Sequence, residues 1–309
     1  MTQKLVSVIT PCYNADKYIA KLLDSVLGQT YDRIEMIIVD DGSTDSSAEI
    51  IKSYSAKFKK RGFNLEYVYQ KNQGQSGAIN AALKMVKGDY LVWPDADDYY
   101  SSNETIEKLV HSLDTSDDSV GMSRVELSVV DESGKEISEH VTQADDRYKT
   151  NLFESCLFEY GSTFWGAAGG YMIKMSHFDK VSPRRDIYTE RSIGQNWQLC
   201  LPVLYEYKCL TVGEKLYTIV ARRNSHSRRG VNRVAREKSY YRTIQQTLNR
   251  IDMPSRYRRY LLSKTKYRIQ TIINKYTLKS RNKARFRVKR GVKLILPYGV
   301  VMFHKRRKR

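Results

Sequence analysis

Short apolar runs alternate with stretches of helical spacing along the first hundred residues of the chain. Residues 5–10 (LVSVIT), 34–39 (IEMIIV), 64–69 (NLEYVY) and 89–93 (DYLVW) are rich in β-branched or aromatic residues and predict buried strands. Helices are predicted between them, over residues 16–29, after the capping sequence Ser43-Thr44-Asp45, and over residues 76–87. This alternation predicts an α/β fold, with a Rossmann-like, mainly parallel sheet flanked by helices.

The pattern becomes more mixed after about residue 115. Residues 120–130 predict a strand that ends in a hairpin turn at 131–134, and residues 215–221 predict a return to the sheet. Residues 147–159 and 194–206 predict helices. Beyond residue 232 the spacing predicts two basic helices, over 233–250 and 255–278, so the sheet is followed by a basic helical C-terminal extension.

Polar residues follow each of the four predicted strands of the first half. The strand ends are Thr10-Pro11-Cys12-Tyr13-Asn14, Asp40-Asp41-Gly42-Ser43, the segment 72–80 (NQGQSGAIN) and Pro94-Asp95-Ala96-Asp97-Asp98. Ligands of open α/β sheets bind at the carboxyl ends of the strands, so these residues predict a site along one edge. Each motif alone is most often a plain turn, helix cap or solvated loop, and the ordered set of four carries the prediction.

The chemistry of these strand ends fits a nucleotide with a diphosphate. A carboxylate at the Asp40/Asp41 turn accepts hydrogen bonds from a base N–H or a ribose hydroxyl. The glycines near 74–77 let the backbone approach a phosphate at the start of a helix. Asp95 and Asp97 offer the hard oxygen ligands that Mg²⁺ or Mn²⁺ prefers.

Three segments carry a resemblance to a known family. TPCYNADKYIAKLLDSVLGQTYDRIEMIIVDDGSTDSS, NQGQSGAINAAL and GDYLVWPDADD closely resemble the family 2 glycosyltransferases of the bacterial surface-polysaccharide type, which have the A-type nucleotide-sugar transferase fold. The resemblance is dense over residues 4–100, thinner over 100–226 and essentially absent in the basic extension. It implies a catalytic domain over 1–226, with a nucleotide-sugar-binding half (1–113) and an acceptor half (114–226). Residues 227–309 are expected to form a basic, membrane-associating tail on the grounds of their charge.

The resemblance also implies roles for individual residues. Pro11, Tyr13, Asn14, Asp40 and Asp41 would hold the nucleoside, with Asp41 reading uracil. The donor-lining loop and helix would include Asn72, Gly74, Gln75 and Asn80. Asp95 and Ala96 would contact the donor, Asp95 and Asp97 would bind Mn²⁺ or Mg²⁺, and His226 is a further candidate ligand. Asp98 is expected to brace the turn.

The activity implied by the resemblance is inverting, metal-dependent transfer from a UDP-sugar. A hexose or N-acetylhexosamine would move to a saccharide acceptor carried on a polyprenyl diphosphate, in the biosynthesis of a cell-surface polysaccharide such as capsule or O-antigen. The metal would offset charge on the departing diphosphate, while the acceptor hydroxyl attacks from the opposite face with help from a general base.

The expected base is missing from its place in the family pattern. The matching segment is Ser192–Leu199, where Asn196 stands at the position expected for an aspartate. An amide does not accept a proton at neutral pH, so three explanations stay open. Glu190 or Asp186 supplies the base, the acceptor needs little help, or Gln195 and Asn196 orient the acceptor for another group. Trp165 and Trp197 are candidates for the acceptor side. A buried Trp165 fits the sequence at least equally well, and core packing is the alternative for Trp197.

Charge divides the chain unevenly. Residues 222–309 contain 29 Lys and Arg against two acids, which leaves 24 basic and 32 acidic residues in 1–221. The apolar run 294–303 (LILPYGVVMF) is too short to span a bilayer and lies between basic residues, which favours shallow insertion at an anionic membrane. A nucleic-acid partner is disfavoured, and a merely solvated helical face remains an alternative.

The expected location is the cytoplasm, peripheral on the inner face of the cytoplasmic membrane. The N-terminus (MTQKLVSVIT) lacks a secretory pattern, and four scattered cysteines favour reduced, buried thiols. A processive polysaccharide synthase is disfavoured because no spanning helix is predicted and Gln195–Gln198 does not match Gln-x-x-Arg-Trp. A degenerate transferase that serves as a membrane scaffold is the non-enzymatic alternative, motivated by Asn196.

Overall fold

A computed structural model describes residues 3–143, 149–158, 164–165, 168–189, 195–222 and 233–289, without the side chains of Gln195, Arg233 and residues 278–289. The first half contains β1 (Val6–Cys12), α1 (Ile19–Leu27), β2 (Ile34–Asp40), α2 (Ser47–Ser53), α3 (Ser55–Arg61), β3 (Asn64–Tyr69), α4 (Gln75–Leu83), β4 (Tyr90–Val92), β5 (Tyr99–Tyr100) and α5 (Thr105–Asp114). The second half contains β6 (Val120–Asp131), β7 (Glu136–His140), α6 (Phe153–Phe158), a 3₁₀ helix (Ala168–Gly170), β8 (Tyr171–Lys174), α7 (Met175–Val181), α8 (Gln195–Glu206), β9 (Lys208–Ala221), α9 (Arg233–Arg250) and α10 (Ser255–Lys289).

The described strands form one continuous sheet in the order β3-β2-β1-β4-β8-β6-β9-β5, with β7 paired to β6. The four strands predicted from the first half are parallel neighbours, because each is joined to the next through helices. β8 then enters between β4 and β6 and runs antiparallel to both. The predicted α/β fold with flanking helices is therefore confirmed, but the sheet is mixed, because β5, β7 and β8 run antiparallel to their partners while β6 and β9 form a further parallel pair.

The central strands are buried because helices cover both faces of the sheet. Every residue of β2 is buried, and α1 packs its apolar stripe of Ile19, Leu22, Leu23 and Val26 into the same core. Burying a Leu or Ile side chain contributes about 1.5–3 kcal/mol, so this layer holds the strand ends in place. Cys12, Cys156, Cys200 and Cys209 are all buried and free, as their scatter predicted.

The basic extension packs onto the sheet domain along α9 and the first turns of α10. Ile244, Leu248 and Leu261 lie in the same apolar core as the sheet, and the Tyr240 ring lies 4.8 Å from the ring of Trp197 on α8. From Arg233 to Leu261 the extension is therefore part of the folded body. In the part of the chain that the structure describes, no helix has the length and apolar character needed to cross a bilayer. The apolar run 294–303 lies outside the described residues.

The helices predicted over 147–159 and 255–278 differ most in extent from those in the structure. α6 covers Phe153–Phe158, within the longer helix predicted over 147–159. α10 continues to Lys289, beyond the predicted end at 278. The apolar spacing that predicted the helix becomes less regular after residue 278. Residues 279–289 nevertheless contain no glycine or proline that would end the helix.

Candidate active site

The ends of β1, β2 and β4 lie side by side at the carboxyl edge of the parallel strands. Cys12 at the end of β1 pairs with Asp40 at the end of β2, and Val8 pairs with Val92 of β4. This register brings together the loops after the three strands, and α4 begins at the same edge. The structure thus brings together the strand-end residues predicted from the sequence, with the different individual roles described below.

Asp40 is buried and bonded within the fold. Its side chain accepts hydrogen bonds from the backbone N–H of Ser43 at 2.8 Å and from the Tyr67 hydroxyl at 2.7 Å. Asp40 is fully shielded from solvent, so it braces the turn after β2 instead of contacting a nucleoside as predicted. The Tyr67 partner comes from β3, which is why the sequence did not reveal this role.

Asp41 holds the segment that leads from β3 to α4. Its Oδ1 accepts hydrogen bonds from the Gln70 side chain at 2.6 Å and the Gln73 N–H at 2.8 Å, while Oδ2 accepts from the Gly74 N–H at 2.7 Å. A carboxylate offers about four lone-pair positions, so three are used within the protein. Asp41 is 3% exposed, and an interaction with uracil would have to use the remaining position or displace this segment.

Gly74 joins that segment to α4 in a conformation that only glycine adopts readily. Its φ is +83° and its ψ is 165°, and α4 begins at the next residue, Gln75. The Gln75 side chain donates to Asp95 Oδ1 at 2.7 Å, which links the start of α4 to the turn after β4. Asn72 is exposed beside this segment. These contacts place the predicted phosphate-approach loop next to the predicted metal ligands.

Asn80 binds the protein backbone across the fold. Its Nδ2 donates to the Ile187 carbonyl at 3.0 Å, and its Oδ1 accepts from the Ile187 N–H at 2.8 Å. Both functions of the amide are therefore used by a segment 107 residues away. Asn80 thus positions the chain near Asp186 rather than lining the donor with a free amide.

The loop after β1 is tied to the loop after β2. Asn14 has a φ of +48°, accepts from the Thr44 N–H at 2.8 Å and donates its own N–H to Ser43 Oγ at 3.0 Å. Asn14 was predicted to bind the donor. In the structure its bonds set the path of the loop, so Asn14 has a positioning role. Tyr13 is 45% exposed at the same edge, and Pro11 is half-buried. Tyr13 is the ring in this loop that a nucleoside can reach.

Three carboxylates follow β4, and each has different surroundings. Asp95 accepts from Gln75, and Asp97 forms an ion pair with the Arg222 guanidinium. Asp98 is buried and accepts from the Val220 N–H at 2.9 Å, so it braces the turn against β9 as predicted. Ala96 is also buried in this turn.

Burial and neighbouring negative charge raise the pKa values of two of these carboxyl groups. Burial and then the Asp97 charge raise the pKa of Asp95 from 3.8 to about 7, although Arg222 and Gln75 oppose the rise. Burial, followed by the charges of Asp97 and Asp95, also raises the pKa of Asp98 well above its ordinary value. The carboxyl groups of Asp95, Asp97 and Asp98 therefore lie close enough to influence one another, with the Arg222 guanidinium as a nearby cation.

The donor set fits Mg²⁺ or Mn²⁺ held together with a diphosphate. Among the described residues, no group of three or more His, Cys, Asp or Glu side chains is arranged to hold a metal ion by itself. Mg²⁺ is commonly bound through one or two carboxylates, with substrate phosphates and water completing its shell. Asp95 and Asp97 match that partial set. His226, the further predicted ligand, lies outside the described residues.

Asn196, at the position expected for the base, is bonded to the end of β4. Its Oδ1 accepts the indole N–H of Trp93 at 2.9 Å, and Trp93 is fully buried. The amide therefore links the first turn of α8 to the residue just before the Pro94–Asp98 turn. Trp197 is half-buried against Tyr240, which matches the core-packing alternative. The Gln195 side chain lies outside the described part of the chain.

Two other acceptor-side predictions can be compared with the structure, and a third cannot. Trp165 fitted either an exposed stacking surface or core packing, and it is 1% exposed with the Arg124 guanidinium 4.1 Å from its ring, which agrees with core packing. Packing inside the fold prevents its indole from meeting a sugar. Asp186 lies near Arg250 of α9, with 3.6 Å between Oδ1 and Nη1. Glu190 lies outside the described residues.

Sequence reasoning missed several residues that shape the site. Gln70, Tyr67 and Trp93 each donate a hydrogen bond to a predicted site residue. Gln70 directly follows β3, so the strand-end rule that identified the other loops could have found it. Tyr67 and Trp93 lie within strands and look like ordinary core residues in the sequence.

The family model described as glycosyl transferase family 2 matches residues 7–173, more than half of the chain. The chain belongs to glycosyl transferase family 2. The match covers β1 to β8, including both sets of strand-end carboxylates. The resemblance read from the three motifs is confirmed at the level of the family.

Curated relatives match over part of their length. An uncharacterized glycosyltransferase of Rickettsia prowazekii is 34% identical over 154 residues, covering 50% of this chain and 45% of that protein. The glycosyltransferase GlyA of Streptococcus pneumoniae is 39% identical over 107 residues, covering 34% of this chain and 15% of GlyA. The matched region thus spans less than half the length of these relatives.

Two solved structures share the fold. S. aureus TarS 1–349 in complex with UDP-GlcNAc aligns with a TM-score of 0.64 at 20% identity, covering 84% of this chain and 71% of that one. The mannosyltransferase PcManGT of Pyrobaculum calidifontis, in complex with GDP-Man and Mn²⁺, aligns with a TM-score of 0.57 at 17% identity, covering 85% and 70%. Both confirm the A-type glycosyltransferase fold of the family 2 chain.

Proposed function

We propose that this family 2 chain is an inverting, metal-dependent glycosyltransferase that uses a UDP-sugar. The observation that carries the proposal is the linkage of Asp95 to Gln75 at 2.7 Å, because it joins the carboxylates after β4 to the start of α4. A diphosphate at the start of α4 would then lie beside Asp95 and Asp97. The UDP-GlcNAc complex of TarS, which has the same fold, supports a uridine donor.

The proposed donor site runs along the edge from Tyr13 to Asp97. Tyr13 offers an exposed ring to the nucleoside, and Asp41 keeps the 70–74 segment in position beside it. The first turn of α4 offers backbone N–H groups and a favourable helix dipole to the phosphates. Asp95 and Asp97 would hold Mg²⁺ or Mn²⁺, as the Mn²⁺ complex of PcManGT supports for this fold.

Transfer moves a hexose or N-acetylhexosamine from UDP to a saccharide hydroxyl. A bound divalent cation lowers the barrier by offsetting negative charge on the leaving diphosphate. The acceptor oxygen forms its bond to the anomeric carbon as the bond to the phosphate oxygen breaks, and attack from the opposite face inverts the configuration. Asn196 would orient the acceptor, while Asp186 or Glu190 would take the hydroxyl proton.

A donor screen tests this proposal. The protein is incubated with individual UDP-sugars and with GDP-mannose, with and without Mn²⁺, and nucleotide release is measured. Mn²⁺-dependent release of UDP from one UDP-sugar is the expected result. Release only from GDP-mannose would overturn the uridine assignment. No release from any donor would favour the scaffold alternative, which Asn196 motivates by placing an amide where the base was expected.

The acceptor is proposed to be a polyprenyl-diphosphate-linked saccharide at the inner face of a bacterial cytoplasmic membrane, for a surface polysaccharide such as capsule or O-antigen. The basic extension supports this, because exposed cations of α10 such as Arg256, Arg259 and Lys266 would meet anionic headgroups. Flotation with anionic and with neutral vesicles tests it. Binding to anionic vesicles alone is expected, and a full-length chain that ignores both kinds contradicts the proposal.

A truncation separates the two parts of the extension. A chain ending at Lys289 keeps α9 and α10 but removes the apolar run 294–303. Retained flotation would assign binding to the helices, and lost flotation would assign it to the removed run.

A processive synthase would instead yield long polymers, which gel analysis of the product distinguishes from single additions.

A further inference from the structure

The Arg222 side chain reaches from the end of β9 to the turn after β4. Its guanidinium forms an ion pair with Asp97, and it also lies 4.9 Å from the centre of the Tyr18 ring. The Tyr18 hydroxyl in turn donates to Glu132 at 3.1 Å. Arg222, Tyr18 and Glu132 come from three separate parts of the fold. Their contacts keep the guanidinium at Asp97, a carboxylate that the proposed function assigns to the metal.

Asp97 and Arg222 meet in a partly shielded place. Their side chains are 17% and 26% exposed, so water screens the pair less than it would screen a pair on the open surface. Asp95, Asp97 and Asp98 lie within four residues of one turn, so the positive charge of Arg222 offsets part of a concentrated negative charge. A guanidinium keeps its charge across the pH range in which proteins stay folded.

We propose that Arg222 is an internal counter-ion that a divalent cation must displace from Asp97. The inference rests on the proposed function, since it takes Asp97 as a metal ligand. A carboxylate cannot keep a close guanidinium and accept a divalent ion at the same face without strong repulsion between the two cations. The stacking on Tyr18 adds to the cost of moving the guanidinium, because cation–π contacts favour the position it already holds.

This arrangement makes the donor-free protein a weak metal binder. The pair with Arg222 competes directly with the metal, so the apparent affinity for the metal equals the intrinsic affinity multiplied by the fraction of protein in which Asp97 is available. A donor diphosphate brings further oxygen ligands to the same metal and so favours the displacement. Arg222 is thus a positioning residue that would keep the site closed to metal until the donor arrives.

A purely structural role for Arg222 is the competing explanation. In that case the ion pair only joins β9 to the turn after β4, and its loss lowers stability without changing metal affinity. The two explanations therefore differ in a binding constant that can be measured without turnover. Arg61 supplies a matched control, because it forms an ion pair with Asp32 at 2.8 Å on another part of the surface.

The experiment measures Mn²⁺ binding by calorimetry to the full-length chain, without nucleotide and then with UDP. The variants are Arg222→Gln, Arg222→Lys and the control Arg61→Gln. Without nucleotide, Arg222→Gln is expected to bind Mn²⁺ about fivefold or more tighter than wild type, whereas Arg61→Gln is unchanged. Arg222→Lys keeps the charge but loses the planar fork, so its affinity is expected between the two.

Thermal unfolding gives a second readout. A ligand that binds the folded state raises Tm by an amount that grows with the logarithm of its concentration relative to Kd, so Mn²⁺ should raise the Tm of Arg222→Gln more than that of wild type. Equal Mn²⁺ affinity in wild type and Arg222→Gln overturns the inference while leaving the proposed function intact. Absence of Mn²⁺ binding in every variant, even with UDP, overturns the metal site and the inference together.

Discussion

The carboxylate of Asp41 accepts the backbone N–H of Gly74 at 2.7 Å, which fixes the entry into α4 from the end of β2. Together with the bonds from Gln70 and Gln73, this contact accounts for three N–H donors. An exposed turn residue would leave them to water. Here a nearly buried carboxylate satisfies them and sets the shape of the proposed phosphate loop.

Replacing Asp41 by Asn should destabilise the protein. An amide has one acceptor oxygen, and its NH₂ group would face backbone donors, so we expect the free energy of unfolding to fall by about 1–3 kcal/mol. Urea denaturation measures the change. Asp32→Asn is the control at a side chain that is 68% exposed, where a change within about 0.5 kcal/mol is expected. Equal effects at both positions would show that the Asp41 bonds contribute nothing specific.

Replacing Asn80 by Ala should loosen the segment around Ile187. Two hydrogen bonds are lost, and we expect about 1–2 kcal/mol of destabilisation together with faster hydrogen exchange at the Ile187 amide. Asn249→Ala, at an exposed position near the end of α9, is the control. Unchanged exchange at Ile187 would mean that other contacts hold this segment in place.

Asn196 offers a comparison between two substitutions. Asn196→Asp keeps an oxygen to accept the Trp93 N–H, whereas Asn196→Ala leaves that buried donor without its acceptor. We expect the Ala variant to lose about 1–2 kcal/mol of stability and to change its near-ultraviolet circular dichroism, while the Asp variant keeps the wild-type spectrum. If both variants match wild type in stability and in spectrum, the hydrogen bond from the Trp93 indole does not stabilise the fold. Turnover by the Asp variant would also test whether a carboxylate here serves as base.

The raised pKa of Asp95 predicts a pH dependence for the metal-free protein. The folded state binds a proton at Asp95 more tightly than the unfolded state, in which the pKa of Asp95 is near 3.8. The contribution of Asp95 to stability is therefore greatest below pH 4 and is lost as the pH rises to about 7. Asp95→Asn should flatten this part of the stability profile, measured by urea denaturation in EDTA. If the stability of the variant changes with pH as steeply as that of wild type, the raised pKa of Asp95 is contradicted.

Much of the first half of the fold could be predicted because its signals are local. β1, β2 and β4 are apolar runs, and the rule that ligands lie at strand ends pointed directly to Asp41, Asp95 and their neighbours. β5 and β8 were missed because they have two and four residues and pair with strands far away in sequence. Short strands of this kind depend on tertiary pairing more than on local pattern.

The roles of individual site residues were harder to predict than their location. Asp40 and Asn80 stand at the expected edge, yet Tyr67 and Ile187 use their polar groups. Trp165 lies in the interior because Arg124 packs on its ring. These partners are 27, 107 and 41 residues away in sequence, and only the register of the sheet and the path of the chain bring them together.

The most direct test of the central claim is UDP release from the preferred UDP-sugar by wild type, Asp97→Asn and the control Asp32→Asn, each with Mn²⁺ and with EDTA. The account predicts release by wild type and the control that EDTA abolishes, and a loss of about 100-fold or more in Asp97→Asn, since the cation can no longer offset the leaving charge. Release by Asp97→Asn at the wild-type rate, or release unaffected by EDTA, would contradict the metal-dependent mechanism.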